Sequence, residues 1–249
     1  MNPPFTDQEI KEAVWSCGGD KSPGPDGFTI ELFKKHWSIF GKDISDAIKE
    51  FGNKPYVPKG INSAFIALIP KNLNPITVGD YRPISLVGIM QKIISKTMAN
   101  RLKKVLHFLI SPEQSAFVND RQILDGPLII NEIVNWAKTK KRKIMLFKTD
   151  IAKAYDSVAW DYLDDIMIEM GFGNIWRKWI KVSLTSGFSS ILVNGSPTNE
   201  FKLGRGLRQG DPLSPFLFTL IMEGLSLAIR KSESHFGFKG INVGANDTY

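Results

Sequence analysis

One segment constrains the fold more than any other. Between residues 84 and 109, Leu86, Met90, Ile93, Met98, Leu102, Val105 and Leu109 recur at helical spacing on one broad face. Such a face is stable only when other elements cover it. The spacing therefore predicts a packing helix over 84–109, not a cofactor pocket. Further helices are predicted over 7–16, 30–51, 120–139, 158–170, 174–185 and 212–231. Thr6-Asp7-Gln8-Glu9 has the pattern of a capping box and opens the first of them. Strands are predicted over 64–69, 144–150, 189–194 and 199–204, with Asn194-Gly195 as a hairpin turn between the last two. Helices dominate and strands are few, so the fold class is α+β.

A chain of 249 residues builds one large domain or two small ones. Its net charge of +7 suits a polyanionic partner. The most apolar stretch, Leu213 to Ile229, is interrupted by Glu223, so no segment has the length and purity of a membrane span. A single cysteine, Cys17, excludes an internal disulfide and a cysteine-based zinc site. His36, His107 and His235 show no metal-ligand spacing. Lys138 to Lys143 is a basic run, suited either to a solvated face or to phosphate.

Asp150 follows the apolar run Ile144-Met145-Leu146-Phe147. A carboxylate at the end of a buried strand is costly unless paired, hydrogen-bonded or bound to metal. Capping the next helix is the simpler role for Asp150 or Asp156. Gln209-Gly210 precedes a long apolar stretch, with Pro212 near its first helical turn. A glutamine there offers donors and an acceptor to a ligand. Ser22-Pro23-Gly24-Pro25-Asp26-Gly27 reads as a stiff, turn-rich loop.

Two longer strings carry a resemblance. Lys148-Thr149-Asp150-Ile151-Ala152-Lys153-Ala154-Tyr155-Asp156-Ser157-Val158 is followed by Arg205-Gly206-Leu207-Arg208-Gln209-Gly210-Asp211-Pro212-Leu213-Ser214-Pro215. In this order they closely resemble the A and B motifs of reverse transcriptases of the non-LTR (LINE-type) retrotransposons. Lys71 with Asp80-Tyr81-Arg82-Pro83 resembles the first fingers motif, and Gln114 to Arg121 the second. The second departs from the family in having Asp120 where glycine is usual before Arg121. The Ser22–Gly27 loop resembles the short motif that precedes the fingers.

The resemblance implies a right-hand polymerase fold, with an N-terminal extension and fingers over 1–143 and a palm over 144–249. It implies RNA-directed DNA synthesis on an RNA template, with a DNA primer and deoxynucleoside triphosphates, in an intracellular (nuclear or cytoplasmic) setting. Polymerases of this kind use two Mg²⁺ ions about 4 Å apart. Asp150 and the carbonyl of Ile151 would hold metal, and Asp150 would be catalytic. Lys71, Arg82 and Arg121 would meet the triphosphate. Tyr155 would lie under the sugar and exclude a 2′-hydroxyl, and Gln209 and Gly210 would contact the nucleotide. Asp150 is then expected to end a strand facing a cleft shared with Tyr155 and Gln209.

The family's C motif, with two further carboxylates, does not occur before Tyr249. Tyr162-Leu163-Asp164-Asp165 imitates it but falls between motifs A and B, in a helical pattern. The expectation is thus an incomplete palm and an incomplete metal site, without a thumb or an upstream endonuclease, and with Met1 as an internal or fortuitous start. Such a fragment would be inactive alone. Two other readings stay open: a catalytically dead RNA-binding remnant, and a group II intron maturase-like protein.

Overall fold

The computed structural model describes residues 3–118, 121–236 and 241. The first helix, α1 (Asp7–Trp15), starts as its sequence predicts. The Thr6 hydroxyl accepts from the Glu9 amide at 3.2 Å, and the Glu9 carboxylate accepts from the Thr6 amide at 3.1 Å. Ile10, Ala13 and Val14 face inward. The helix expected over 30–51 is two helices, α2 (Ile30–Lys35) and α3 (Trp37–Asn53). The break is His36, whose φ of −112° and ψ of 31° are not helical.

Next come β1 (Ser63–Pro70), β2 (Tyr81–Val87) and α4 (Ile89–Leu109). Here the expected helix over 84–109 is corrected. Its first residues belong to β2, which pairs antiparallel with β1 from Ala64 opposite Val87 to Pro70 opposite Tyr81. Proline in a helix interior removes a hydrogen bond and clashes. On an edge strand it is tolerated, and Pro83 lies on β2, at one end of the sheet order β2-β1-β3-β4. Leu86 therefore leaves the helical face. The rest holds, with Ile93, Met98 and Leu102 of α4 fully buried.

Something must then cap α4, because Gly88 at its N-cap has no side chain. Asp26 does so from 63 residues away, its carboxylate accepting from the Ile89 amide at 2.5 Å. Gly24 lets the loop come this close. A Cβ there would lie 2.5 Å from the Gly88 nitrogen. The Ser22–Gly27 loop is thus a tertiary cap on the longest helix of the N-terminal half. Asp26→Ala is expected to cost about 1 kcal/mol, the usual worth of an N-cap. Urea unfolding would measure it, and an unchanged midpoint would refute the cap.

The remaining elements are α5 (Asp125–Thr139), α6 (Trp160–Glu169), α7 (Asn174–Thr185), β3 (Phe188–Val193), β4 (Ser196–Pro197), β5 (Phe201–Lys202) and α8 (Ser214–Phe236). β3 runs parallel to β1, Ser63 opposite Phe188, and antiparallel to β4 and β5. The sheet is small and mixed, so the α+β class holds at this level. Asn194 and Gly195, with φ of 51° and 80°, make a hairpin turn, but it joins β3 to β4 and not to the strand expected over 199–204. The strand expected over 199–204 shrinks to Phe201–Lys202.

The core lies where α1, α3, α4 and α7 meet. Trp176 and Trp179 of α7 are fully buried. Trp179 packs on Phe5 with ring centroids 4.7 Å apart and planes tilted by 31°, and donates its indole N–H to the Gly52 carbonyl at 3.0 Å. Among the described residues no helix is long and apolar enough to cross a membrane.

The strand expected over 144–150 is absent. The stretch is irregular, and Met145, Leu146 and Phe147 are 76%, 62% and 80% exposed. A strand needs a hydrogen-bonded neighbour. The sheet consists of β1 to β5, and none of these strands pairs with this segment.

Candidate functional site

Asp150 therefore does not end a strand. It is solvent-exposed at the end of the irregular stretch. Five residues later the chain folds into a turn, and there the two long motifs dock on each other through backbone. The Leu207 amide donates to the Tyr155 carbonyl and the Gly206 amide to the Val158 carbonyl, both at 2.8 Å. The Trp160 indole donates to the Gly206 carbonyl at 2.7 Å, and the Arg205 guanidinium to the Ser157 carbonyl at 2.8 Å. Tyr155 is half-buried and stacks on Phe218 of α8 at 5.1 Å and 17°. Burial raises its phenol pKa above the ordinary value.

The next residues reach β2. The Ser85 amide donates to the Gln209 carbonyl at 2.7 Å. Gly210 has a φ of 109°, and a Cβ on it would lie 2.9 Å from the Ser85 carbonyl oxygen. Only glycine is comfortable in that conformation and that contact. Arg82 lies on the same strand and is exposed. Tyr155, Gln209, Gly210 and the Arg82 strand thus share one region of the surface. Asp150 is tied to it by sequence, since five residues reach at most about 18 Å.

Lys71 and Arg121 are engaged elsewhere. Lys71 sits past the end of β1 and closes the β1–β2 connection, its amide donating to the Asp80 carbonyl and its ammonium to the Gly79 carbonyl, both at 2.8 Å. Arg121 donates to the carbonyls of Ser111 at 2.5 Å, Gln114 at 2.6 Å and Ile110 at 3.1 Å. These carbonyls belong to the C-cap of α4 and the loop that follows it. Ser111 also donates from its amide at 3.0 Å and its hydroxyl at 2.7 Å to Glu223 of α8. Glu223, which interrupts the apolar stretch, thereby ties α8 to the end of α4. A nucleotide contact by Arg121 would have to compete with three carbonyls. Asp120 lies outside the described residues.

Sequence reasoning missed a buried polar network beneath Gln209. Arg208 is 9% exposed and Asp211 8%. The Arg208 guanidinium donates to the side-chain oxygen of Asn62, and to the Asn62 carbonyl at 3.1 Å. The Asn62 amide group donates onward to the Ser183 carbonyl and the Ser186 hydroxyl, each at 2.8 Å. Asp211 accepts from the Ser95 hydroxyl and from the Leu213 amide, both at 2.8 Å. Burial pushes the Asp211 carboxyl above its ordinary pKa and the Arg208 guanidinium below its own, each opposed by the other's charge. Gln209 and Gly210 are held between these two anchors. The one sequence signal was a pair of opposite charges three residues apart.

Asp164 of the imitation motif lies on α6 and is paired with Arg177 of α7 at 2.5 Å. This bond holds its carboxyl below the ordinary aspartate pKa. Among the described residues no three His, Cys, Asp or Glu side chains converge where a metal ion could sit. The described residues by themselves do not fit a two-metal centre.

Comparison with known proteins identifies the family. The family model described as reverse transcriptase (RNA-dependent DNA polymerase) matches residues 69–243. The chain is 32% identical over 231 residues to the transposon TX1 uncharacterized 149 kDa protein of Xenopus laevis, covering 93% of this chain and 18% of that one. It is 28% identical over 242 residues to the retrovirus-related Pol polyprotein from type-2 retrotransposable element R2DM of Drosophila melanogaster, covering 97% and 22%. A Pol polyprotein from type-1 retrotransposable element R2 of Popillia japonica is 23% identical over 232 residues, covering 92% and 31%. The chain spans less than a third of the length of each. With its two motifs docked on one another and most of its length matched, the chain belongs to the reverse transcriptase family, in the branch of the non-LTR retrotransposons.

Proposed function

We propose that this chain is the part of an RNA-directed DNA polymerase that seats the incoming deoxynucleotide against an RNA template and a DNA primer. The observation that carries the reading is the docking of Arg205–Gln209 onto both Tyr155–Val158 and Ser85. It gathers a ring, an amide side chain and a cation-bearing strand from three distant segments. In this reading residues 1–143 form the N-terminal extension and fingers, and 144–249 form palm. Tyr155 lies under the sugar, Gln209 and Gly210 meet the nucleotide, and Arg82 faces the triphosphate, whereas Lys71 reaches it only by giving up the Gly79 carbonyl.

Reverse transcriptases depend on divalent metal. Asp150 and the Ile151 carbonyl are what the described residues would offer to it, and two ions need more oxygen ligands than that. The chain by itself is therefore expected to be silent in Mg²⁺-dependent primer extension, whereas a polypeptide extended to carry the C motif is expected to extend a primer. Failure of the extended polypeptide would overturn the polymerase reading. It would favour the alternative of an RNA-binding remnant, to which the exposure of Asp150 lends support.

Both readings expect sequence-independent binding to RNA or RNA–DNA duplex. For three phosphate contacts on duplex, affinity should fall roughly 40-fold between 50 and 200 mM salt, because counterion release becomes less favourable. Fluorescence anisotropy on two unrelated sequences would measure it. Absent or salt-insensitive binding would count against a nucleic-acid partner altogether.

A further inference from the structure

The end of α5 is built in an unusual way. The helix closes with paired bonds: the Lys141 amide donates to the Lys138 carbonyl at 3.2 Å and the Arg142 amide to the Ala137 carbonyl at 2.9 Å. This is the helix-ending turn in which the residue after the cap is left-handed, a place normally held by glycine. Here it is Lys141, with a φ of 51°. A left-handed conformation is unfavourable for a residue with a side chain. A lysine at this place therefore costs stability that glycine would spare.

What stands against that cost is charge. Lys138, Lys140, Lys141, Arg142 and Lys143 are all exposed. Among the described residues none of them is paired with a carboxylate. The tight turn bends the chain within these residues, so five exposed cations fall within six positions around one corner. Buried Ala137 anchors that corner to the body of the protein. Cations at a helix C-terminus gain a little from the helix dipole. That gain does not require a lysine at the one strained position.

We propose that the Lys138–Lys143 corner is a contact for the phosphate backbone of nucleic acid, with Lys141 at its apex. The partner is RNA or RNA–DNA duplex, read without regard to sequence, since the corner presents ammonium and guanidinium groups and no aromatic side chain on which a base could stack. The proposal rests on the nucleic-acid partner of the proposed function and gives it a location outside the Tyr155–Gln209 region.

The test uses the whole chain and two opposing readouts. Lys141→Gly should relax the turn, raising the melting temperature by about 2 °C, while the log–log salt slope of binding to an RNA–DNA duplex falls by about 1. Lys141→Gln, which removes the charge and keeps the strain, should lose the same slope without gaining stability. Lys141→Arg should restore the slope. Lys35→Gln removes the same charge from α2 and should leave the slope unchanged. If the wild type binds with a steep slope and both uncharged Lys141 variants keep it, this proposal is overturned and the general partner reading stands. If the wild type binds anionic phospholipid vesicles and no nucleic acid, both fall.

Discussion

Arg208→Ala is expected to destabilise the folded chain by about 3–5 kcal/mol, the usual result of removing one member of a buried charged network. Arg208 is 9% exposed, and its guanidinium spans two oxygens of Asn62. Without it the Asn62 side-chain oxygen is left buried with no donor. Asn62 stands at the junction of β1, β3 and the end of α7, its carbonyl also accepting from the Phe188 amide at 3.2 Å. Asp211 loses the cation whose charge opposes its burial. A domain with a stability of roughly 5–15 kcal/mol has little margin for such a loss.

The same change has a signed pH dependence. Burial raises the Asp211 carboxyl above its ordinary value of 3.8 in the folded state. Its contribution to stability is thus present below 3.8 and is lost as pH rises through the folded value. Removing Arg208 pushes the folded value higher still. The deficit of Arg208→Ala relative to wild type should therefore widen from acid to neutral pH. Asp211→Asn, which keeps an acceptor for Ser95, should flatten that dependence. Urea midpoints at three pH values would decide it, and a loss below about 1 kcal/mol at neutral pH would mean that water replaces the guanidinium.

The network shows what the sequence could and could not disclose. Periodicity placed α1, α7, β1, β3 and the body of α4, because each buries one face against a neighbour. It ran α4 backward through β2, since Leu86 and Met90 fit a helical spacing as well as a strand followed by a turn. What decided between them was β1, whose seven paired residues leave β2 no freedom. The motif residues Tyr155, Gln209 and Gly210 were legible as a group, and their docking follows from backbone bonds for which Gly206 and Gly210 make room. Asn62 was not legible: it is 146 residues from Arg208, and an asparagine before a strand announces nothing. Nor was Asp26, whose loop reads as a connector until the helix it caps is in place. The irregular 144–150 stretch failed for the opposite reason. Its residues favour a strand, but strand formation depends on a neighbour that composition cannot reveal.

Tyr155→Val, in a polypeptide extended to carry the C motif, is expected to raise the use of ribonucleotides relative to deoxynucleotides by roughly 10- to 100-fold. The ring has two candidate jobs. Its stack on Phe218 at 5.1 Å and its half-buried position make it a packing residue of α8. Its place beside Leu207, with Gln209 two residues further on, makes it the floor of a sugar site. Packing and gating predict different ratios. Loss of a packing contact loosens the loop and lowers both activities together. Loss of a gate removes a collision that only the 2′-hydroxyl suffers, so one activity rises relative to the other. Tyr155→Phe keeps the ring and should keep the ratio, which separates bulk from the phenol hydroxyl. Asp150→Asn in the same polypeptide should abolish both activities, because it removes the charge offered to metal. Single-nucleotide incorporation with each substrate would supply the ratio. An unchanged ratio in the Val variant, with synthesis otherwise intact, would leave Tyr155 as packing under α8 and place the sugar selection elsewhere in the site.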